Sequence, residues 1–226
     1  MIDSDKIYFY AYLGDKGFTV TSEKTHSLIS NLEHLGFSLV DGFAHPFDSP
    51  ENLIKDQINK TKVVSEITLP ENYGGSLFFW KYPFEFTFNL SIEPEESVEW
   101  YIEVELDTFN FNKGQNQSLF INVIKEIIKV FTPLYGLTPL GEEDILLPEQ
   151  VSALDIPKIY SVNFFGSEFS ESSINYKKVQ ASSPDIVEQL ENGFFLAPDL
   201  SDITSPSFER INQIQIELGM NGNYEI

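Results

Sequence analysis

The chain has 226 residues, with 35 acidic and 14 basic side chains, no cysteine and a formal net charge of -21. Its hydrophobic fraction of 42% is too high for an acidic disordered protein, so we expect a globular fold with a sizeable core. The lack of cysteine excludes disulfide scaffolds, Cys-based metal sites and thiol nucleophiles. A single arginine also argues against a nucleic-acid partner, because binding phosphates requires a basic patch.

The N-terminal residues do not have the pattern of a signal peptide, which combines a basic region, an apolar segment and a small-residue cleavage site. No apolar run approaches the roughly 20 residues that a transmembrane helix needs. We therefore predict a cytoplasmic protein with no membrane partner.

The first elements in chain order are a strand, a helix and a second strand. The aromatic-rich segment Ile7–Leu13 is typical of a β-strand. Apolar residues then recur at helical spacing after a capping Thr21 or Ser22. Residues 37–40 predict a short strand, and Asp41-Gly42 predicts a turn after it.

The clearest pattern lies in residues 84–107. Polar and apolar residues alternate strictly over 84–93 and again over 98–107, with a four-residue connection. This pattern predicts an antiparallel hairpin with one face in the core and one in water, and residues 76–81 predict a neighbouring strand. A broad apolar stripe over 119–131 predicts a helix that Pro133 ends. Together these elements predict an α+β fold in which helices pack on one face of an antiparallel sheet.

The C-terminal part predicts a smaller α/β segment. We expect strands over 158–165, 175–180 and 193–197, a helix over 184–190, and a last helix that Ser205 caps. Residues 132–157 contain four prolines and an acidic run. We interpret 1–226 as one compact α+β domain, within which subdomains 1–138 and 150–226 are joined by this Pro-rich acidic segment.

The most distinctive chemistry is a row of carboxylates on the predicted hairpin. Residues 82–112 contain eight acidic residues and no Lys or Arg. Six of the acids fall on the polar face of the two strands: Glu85, Glu93, Glu99, Glu103, Glu105 and Asp107. Such a row is either a solvated outer face, a binding face for a basic partner or a divalent cation, or a glycosidase-type acid/base pair. The last requires two carboxylates about 5–10 Å apart, lying in a cleft.

Histidines and tyrosines offer weaker candidates. His26 and His34 are eight residues apart on the first helix and do not match the i, i+4 spacing of metal ligands, so we interpret them as surface residues. The alternating Tyr8, Tyr10 and Tyr12 indicate either a central strand covered on both faces or an aromatic interaction surface.

A resemblance to known proteins lies in roughly residues 155–200. Tyr160–Gly166 (YSVNFFG), followed by a short helix and then Leu190–Leu196 (LENGFFL), resembles a pattern in uncharacterised bacterial proteins. Some of those proteins are assigned as immunity proteins of polymorphic or type VI toxin systems. The resemblance implies a non-catalytic, cytoplasmic bacterial protein that acts by tight binding.

These observations favour a non-catalytic acidic binding protein, most concretely an immunity or inhibitor protein that occludes a basic protein toxin with the hairpin face. We assign no catalytic residue, no metal ligand and no cofactor. Two alternatives remain open. One is a carboxylate-dependent hydrolase or a divalent-metal enzyme, and the other is a structural or regulatory domain without a specific ligand.

Overall fold

The structure is a computed structural model that describes residues 6–13, 21–44, 64–65, 68, 74–81, 84–93, 99–107, 115–141, 144–146, 150–151, 153–172 and 174–220. The strands are β1 (Lys6–Tyr12), β2 (Ser38–Ala44), β3 (Gly74–Lys81), β4 (Phe84–Glu93), β5 (Glu99–Asp107), β6 (Tyr135–Leu137), β7 (Asn163–Gly166), β8 (Ile186–Leu190) and β9 (Gly193–Ala197). The helices include α1 (Ser22–His34), α2 (Gln115–Phe131), α3 (Tyr176–Ala181) and α4 (Phe208–Leu218), and a 3-10 helix spans Ser167–Glu171. The predicted α+β class is confirmed.

The chain divides into two compact units. The sheet unit contains residues 3–8 and 15–131, and therefore α1, α2 and β2–β5. The C-terminal unit contains residues 9–14 and everything from Thr132 onward. Each unit includes part of β1. The prediction of one domain with subdomains 1–138 and 150–226 stays a prediction.

In the sheet unit, the strands follow the order β2-β3-β4-β5-β1. The expected hairpin is confirmed, because β4 and β5 pair antiparallel from Phe86↔Leu106 to Glu93↔Glu99. Strand β3 pairs antiparallel with the other side of β4. The core face of these strands packs against α2, where the rings of Phe88 and Phe131 stack at 5.8 Å between centroids. Helix α1 packs on α2.

Strand β2 differs from the prediction at Asp41-Gly42. These residues lie inside the strand and do not form a turn, because they pair with Phe78 and Leu77 of β3, after a shift in register between Leu39 and Asp41. Leu39 pairs with Phe79 and Asp41 pairs with Phe78, so Val40 is the extra residue of a β-bulge. The bulge lets the strand continue through a Gly-containing segment whose composition indicates a turn.

In the C-terminal unit, the strand order is β1-β6-β7-β9-β8 and the pairings are antiparallel. Two predicted elements were wrong in type. Residues 175–180 do not form a strand: Asn175 caps α3, and its side-chain oxygen accepts a hydrogen bond from the Lys178 N–H at 3.3 Å. Residues 184–190 do not form a helix, because 186–190 pair with β9 as strand β8.

Glycine makes this second hairpin compact. Glu191 and Asn192 alone connect β8 to β9, and the first residue of β9 is Gly193 with φ +151°. A Cβ at this position would lie 2.1 Å from the carbonyl oxygen of Phe165, so the close approach to β7 requires glycine. The predicted strand over 158–165 is shorter than expected and begins at Asn163.

Helix α4 begins later than its sequence indicates. The cap is Ser207 in place of Ser205, and its hydroxyl accepts a hydrogen bond from the Arg210 N–H at 3.3 Å. Gly219 ends the helix in the left-handed conformation. Across the described part of the chain, no helix combines the length and apolar character needed to cross a membrane.

Candidate functional site

The register of the sheet unit brings the six predicted carboxylate residues to one face. Glu93 lies opposite Glu99, Asn89 opposite Glu103 and Thr87 opposite Glu105. Directly opposed residues in an antiparallel pair share a face, and alternate residues along each strand keep it. Glu85 is two residues from Thr87 on β4, and Asp107 is two residues from Glu105 on β5. Both therefore lie on this face as well. We call this the acidic face of the sheet unit.

One end of the acidic face is open to solvent. Trp80 pairs directly with Glu85 and is 44% exposed, whereas Leu77 and Phe79, which alternate with it along β3, are fully buried. Thr87 is half-buried, and its neighbour Phe88 on the core face is fully buried. Ser76, further along β3 on the acidic face, is buried. The face is thus accessible around Trp80, while the side chain of Ser76 itself is not exposed.

Sequence reasoning missed three residues of this face. The bulge places Asp41 opposite Phe78, on the same side as Trp80, and leaves the bulged Val40 49% exposed. The segment around Trp80 is apolar on both sides of the strand, so no alternation indicates which ring points outward. A bulge has no distinct sequence pattern, so Asp41 was assigned to a turn.

Other sequence candidates do not form a site. His34 is exposed and its Nδ1 lies 2.7 Å from the Ser30 carbonyl oxygen, and His26 is half-buried on the same helix. Within the described residues, no group of three or more His, Cys, Asp or Glu side chains could hold a metal ion. Tyr8, Tyr10 and Tyr12 are buried together with the rest of Ile7–Leu13, so β1 is a strand covered on both faces and not an interaction surface.

The C-terminal unit contains a buried polar network around Asn163. Its side-chain oxygen accepts hydrogen bonds from the Tyr135 hydroxyl at 3.2 Å and the Tyr160 N–H at 2.9 Å, and its amide donates to the Tyr160 carbonyl at 2.7 Å. All three residues are fully buried. Because one bond ties β6 to β7 and the other two hold the chain just before β7, we interpret this network as structural.

An ion pair lies beside this network. The buried carboxylate of Asp144 pairs with the Lys158 ammonium and accepts a hydrogen bond from the Leu140 N–H at 2.9 Å. Burial is the main factor that raises the pKa of Tyr160, and the charge of Asp144 and nearby Tyr12 add to it. The Tyr160 phenol therefore stays protonated, and a protonated buried phenol is not a general base at neutral pH.

A surface cleft of about 500 Å³ also lies in the C-terminal unit. It is lined by Gly166, Ser167, Ser170, Asn175, Tyr176, Lys177, Gln189, Glu191, Gly193 and Phe194. The polar groups of Asn175 and Gln189 bond to the protein itself: Asn175 caps α3, and the Gln189 amide donates to the Gly193 carbonyl at 2.7 Å. With one carboxylate in its lining, the cleft does not present the pair of carboxylates that glycoside hydrolysis requires.

Comparison with known proteins identifies a similar fold. A solved structure of the type VI secretion system (T6SS) protein PA0821 from Pseudomonas aeruginosa matches with a TM-score of 0.57 and 9% sequence identity, over 94% of this chain and 75% of that one. No protein-family model matches, and no curated protein matches by sequence. At this identity, the likeness shows that the chain shares its fold with a T6SS protein.

Proposed function

We propose that this chain is a non-catalytic binding protein of the immunity or inhibitor type, and that its acidic face captures and occludes a basic protein toxin. The observation that supports it most is the register of β3–β5, which aligns six acidic residues with the exposed Trp80 on one face. The fold shared with a T6SS protein is consistent with this class of function.

Electrostatics gives the mechanism. The net charge of -21 is divided almost evenly between residues 1–113 and 114–226. The acidic face is therefore a local concentration of negative charge on a chain that is negative in both halves. A basic partner would be steered to this face, and its association rate would fall as salt screens the charges. Occlusion requires no chemical reaction, because binding to the acidic face would by itself cover the partner's own functional surface.

The test uses the product of the gene adjacent to the one for this chain. We expect coexpression to restore growth if that product is toxic, and the purified pair to bind in a salt-dependent manner. Replacing Glu99, Glu103 and Glu105 with Gln should weaken binding at low salt about tenfold, because an ion pair at a protein surface contributes roughly 0.2–1 kcal/mol.

A charge-matched control separates the face from the net charge. Glu23, Glu209 and Glu217 are exposed on helices α1 and α4, and none of them belongs to the hairpin strands. Their triple Gln variant has the same net charge as the hairpin variant and should bind within about twofold of the wild type, since single exposed charges away from a contact contribute little. If the two triple variants bind equally well, the acidic face is not the interface.

A further inference from the structure

The open end of the acidic face combines apolar and acidic residues. Val40 and Trp80 are two of the most exposed large apolar side chains of the described residues, and they lie on neighbouring strands. Phe78 and Thr87 are half-buried beside them. We call Val40, Asp41, Phe78, Trp80 and Thr87 the Trp80 patch.

Acidic positions flank both aromatic residues of the patch. Trp80 lies directly opposite Glu85 on β4. Phe78 lies opposite Asp41 on one side and Thr87 on the other, and Thr87 lies opposite Glu105. Directly opposed residues have Cβ atoms about 4.5–5.5 Å apart, and successive residues on one face are about 7 Å apart along a strand. The position directly across from Trp80 is therefore acidic, and so is one of the two positions across from Phe78.

No base of β3 neutralises the patch. The lysine next to Trp80, Lys81, is directed to α1, where its ammonium donates a hydrogen bond to the Leu35 carbonyl at 2.6 Å and lies 5.6 Å from the Phe37 ring centroid. Asp41 stays beside its strand, because its Oδ1 accepts a hydrogen bond from the Gly42 N–H at 2.8 Å. The exposed indole of Trp80 thus lies beside acidic positions of the neighbouring strands and lacks a cation from its own strand.

This arrangement suits an arginine of a partner better than a lysine. A guanidinium is planar and weakly hydrated, so it can stack on an indole and still direct its N–H groups to a carboxylate. An ammonium is a compact and strongly hydrated charge, which gains less from the ring. Trp and Arg are also the residue types that contribute most at the centres of protein interfaces.

We infer that the Trp80 patch is the anchoring centre of the interface and that it takes an arginine side chain from a basic protein partner. The inference rests on the proposed function and specifies the partner further, as a protein that presents arginine to the acidic face. Trp80 supplies the stacking surface, and the acidic positions around it supply the charge that holds the guanidinium.

The experiment measures binding of an oligoarginine peptide and an oligolysine peptide of equal length by calorimetry at moderate salt. The wild type should bind oligoarginine more tightly. Trp80→Leu should remove that preference, with a loss of affinity for oligoarginine between about twofold and thirtyfold, the range that cation–π contacts cover. Trp80→Phe should retain part of it, because phenylalanine keeps an aromatic face.

The control is Ile216→Ala, which removes an exposed apolar side chain from α4 in the C-terminal unit and should leave both affinities unchanged. Asp41→Asn provides a second test, with weaker binding of both peptides expected. Equal binding of the two peptides by the wild type, or an unchanged preference in Trp80→Leu, would overturn the arginine anchor. A different result would contradict the proposed function: the triple Gln variant of the hairpin would bind the toxic partner as tightly as the wild type does.

Discussion

Polar residues in the Asn163 network and on the acidic face are arranged in opposite ways. Asn163 is fully buried, and its side-chain oxygen and amide are bonded to two neighbouring residues. Along β4 and β5, by contrast, the face positions carry six acids and no base, and Glu93 directly opposes Glu99. The first region gains stability from its polar groups, whereas like charges on the second oppose folding. That difference is why we place the proposed interface on the acidic face and interpret the Asn163 network as structural.

The largest effect is expected from Asn163→Ala. The substitution leaves the Tyr135 hydroxyl and the backbone N–H and carbonyl of Tyr160 buried without their present partner. A buried backbone group left unpaired costs about 1–3 kcal/mol, so the loss of the two bonds to the Tyr160 backbone should lower the free energy of unfolding by about 2 kcal/mol or more. Urea denaturation measures the loss. Asn122→Ala on the exposed side of α2 should change it by less than about 0.5 kcal/mol, and equal effects at both sites would contradict the structural role.

An intermediate effect that depends on pH is expected at Asp199. This carboxylate is 5% exposed, and it accepts hydrogen bonds from the Ser201 N–H at 2.8 Å and the Ser207 N–H at 2.7 Å. Burial alone would raise the pKa of Asp199, but the hydrogen bonds from Ser201 and Ser207 and the charge of Arg210 outweigh it, so the pKa is lowered. The folded state therefore holds the proton less tightly than the unfolded state does.

A lowered pKa has a definite consequence for stability. The stabilisation from Asp199 is fully present above its unfolded pKa of about 4 and is lost as the pH falls through the lower folded value. Thermal melts of the wild type and Asp199→Asn should differ most at neutral pH and converge below about pH 4. A difference that stays constant from neutral to acidic pH would contradict the role of the ionised carboxylate.

The smallest effect is expected at the opposed pair of the acidic face. Glu99→Gln removes the like charge directly opposite Glu93 and should raise the free energy of unfolding by about 0.2–0.5 kcal/mol. Glu103→Gln, opposite the uncharged Asn89, should raise it less. Equal gains would indicate that the general negative field, and not the opposed pair, causes the repulsion. If the face binds a basic partner, Glu99→Gln should stabilise the chain and weaken the complex.

How far the sequence predicts this structure depends on which interactions decide each element. The alternation over β4 and β5 and the apolar stripe of α2 are patterns of burial, and both elements were predicted correctly. Strand β8 and helix α3 were exchanged because they are five and six residues long and half-exposed, so pairing with β9 and the Asn175 cap decide them. Local composition does not report those interactions.

The same distinction, between patterns within one element and contacts between elements, decides which residues of the candidate site the sequence predicts. The six acidic residues were identified because their alternation fixes a shared face once the hairpin forms. Trp80 and Asp41 were missed because their placement depends on the register between β2 and β3, which the sequence of either strand alone does not contain. Pairing across strands, and not propensity within one, decides which residues join the patch.

The bulge in β2 also bears on how such a surface could change through evolution. In an unbroken pairing, Val40 would lie opposite Phe78, and Asp41 would lie opposite Leu77, which is fully buried. The extra residue keeps that carboxylate out of the core. Since β2 ends the described strand order, an insertion or deletion there alters one strand and leaves the pairing of β3 with β4 intact. The same sequence without the bulge would turn Asp41 toward the side of buried Leu77, so a lineage that keeps this strand and this core must also keep the bulge.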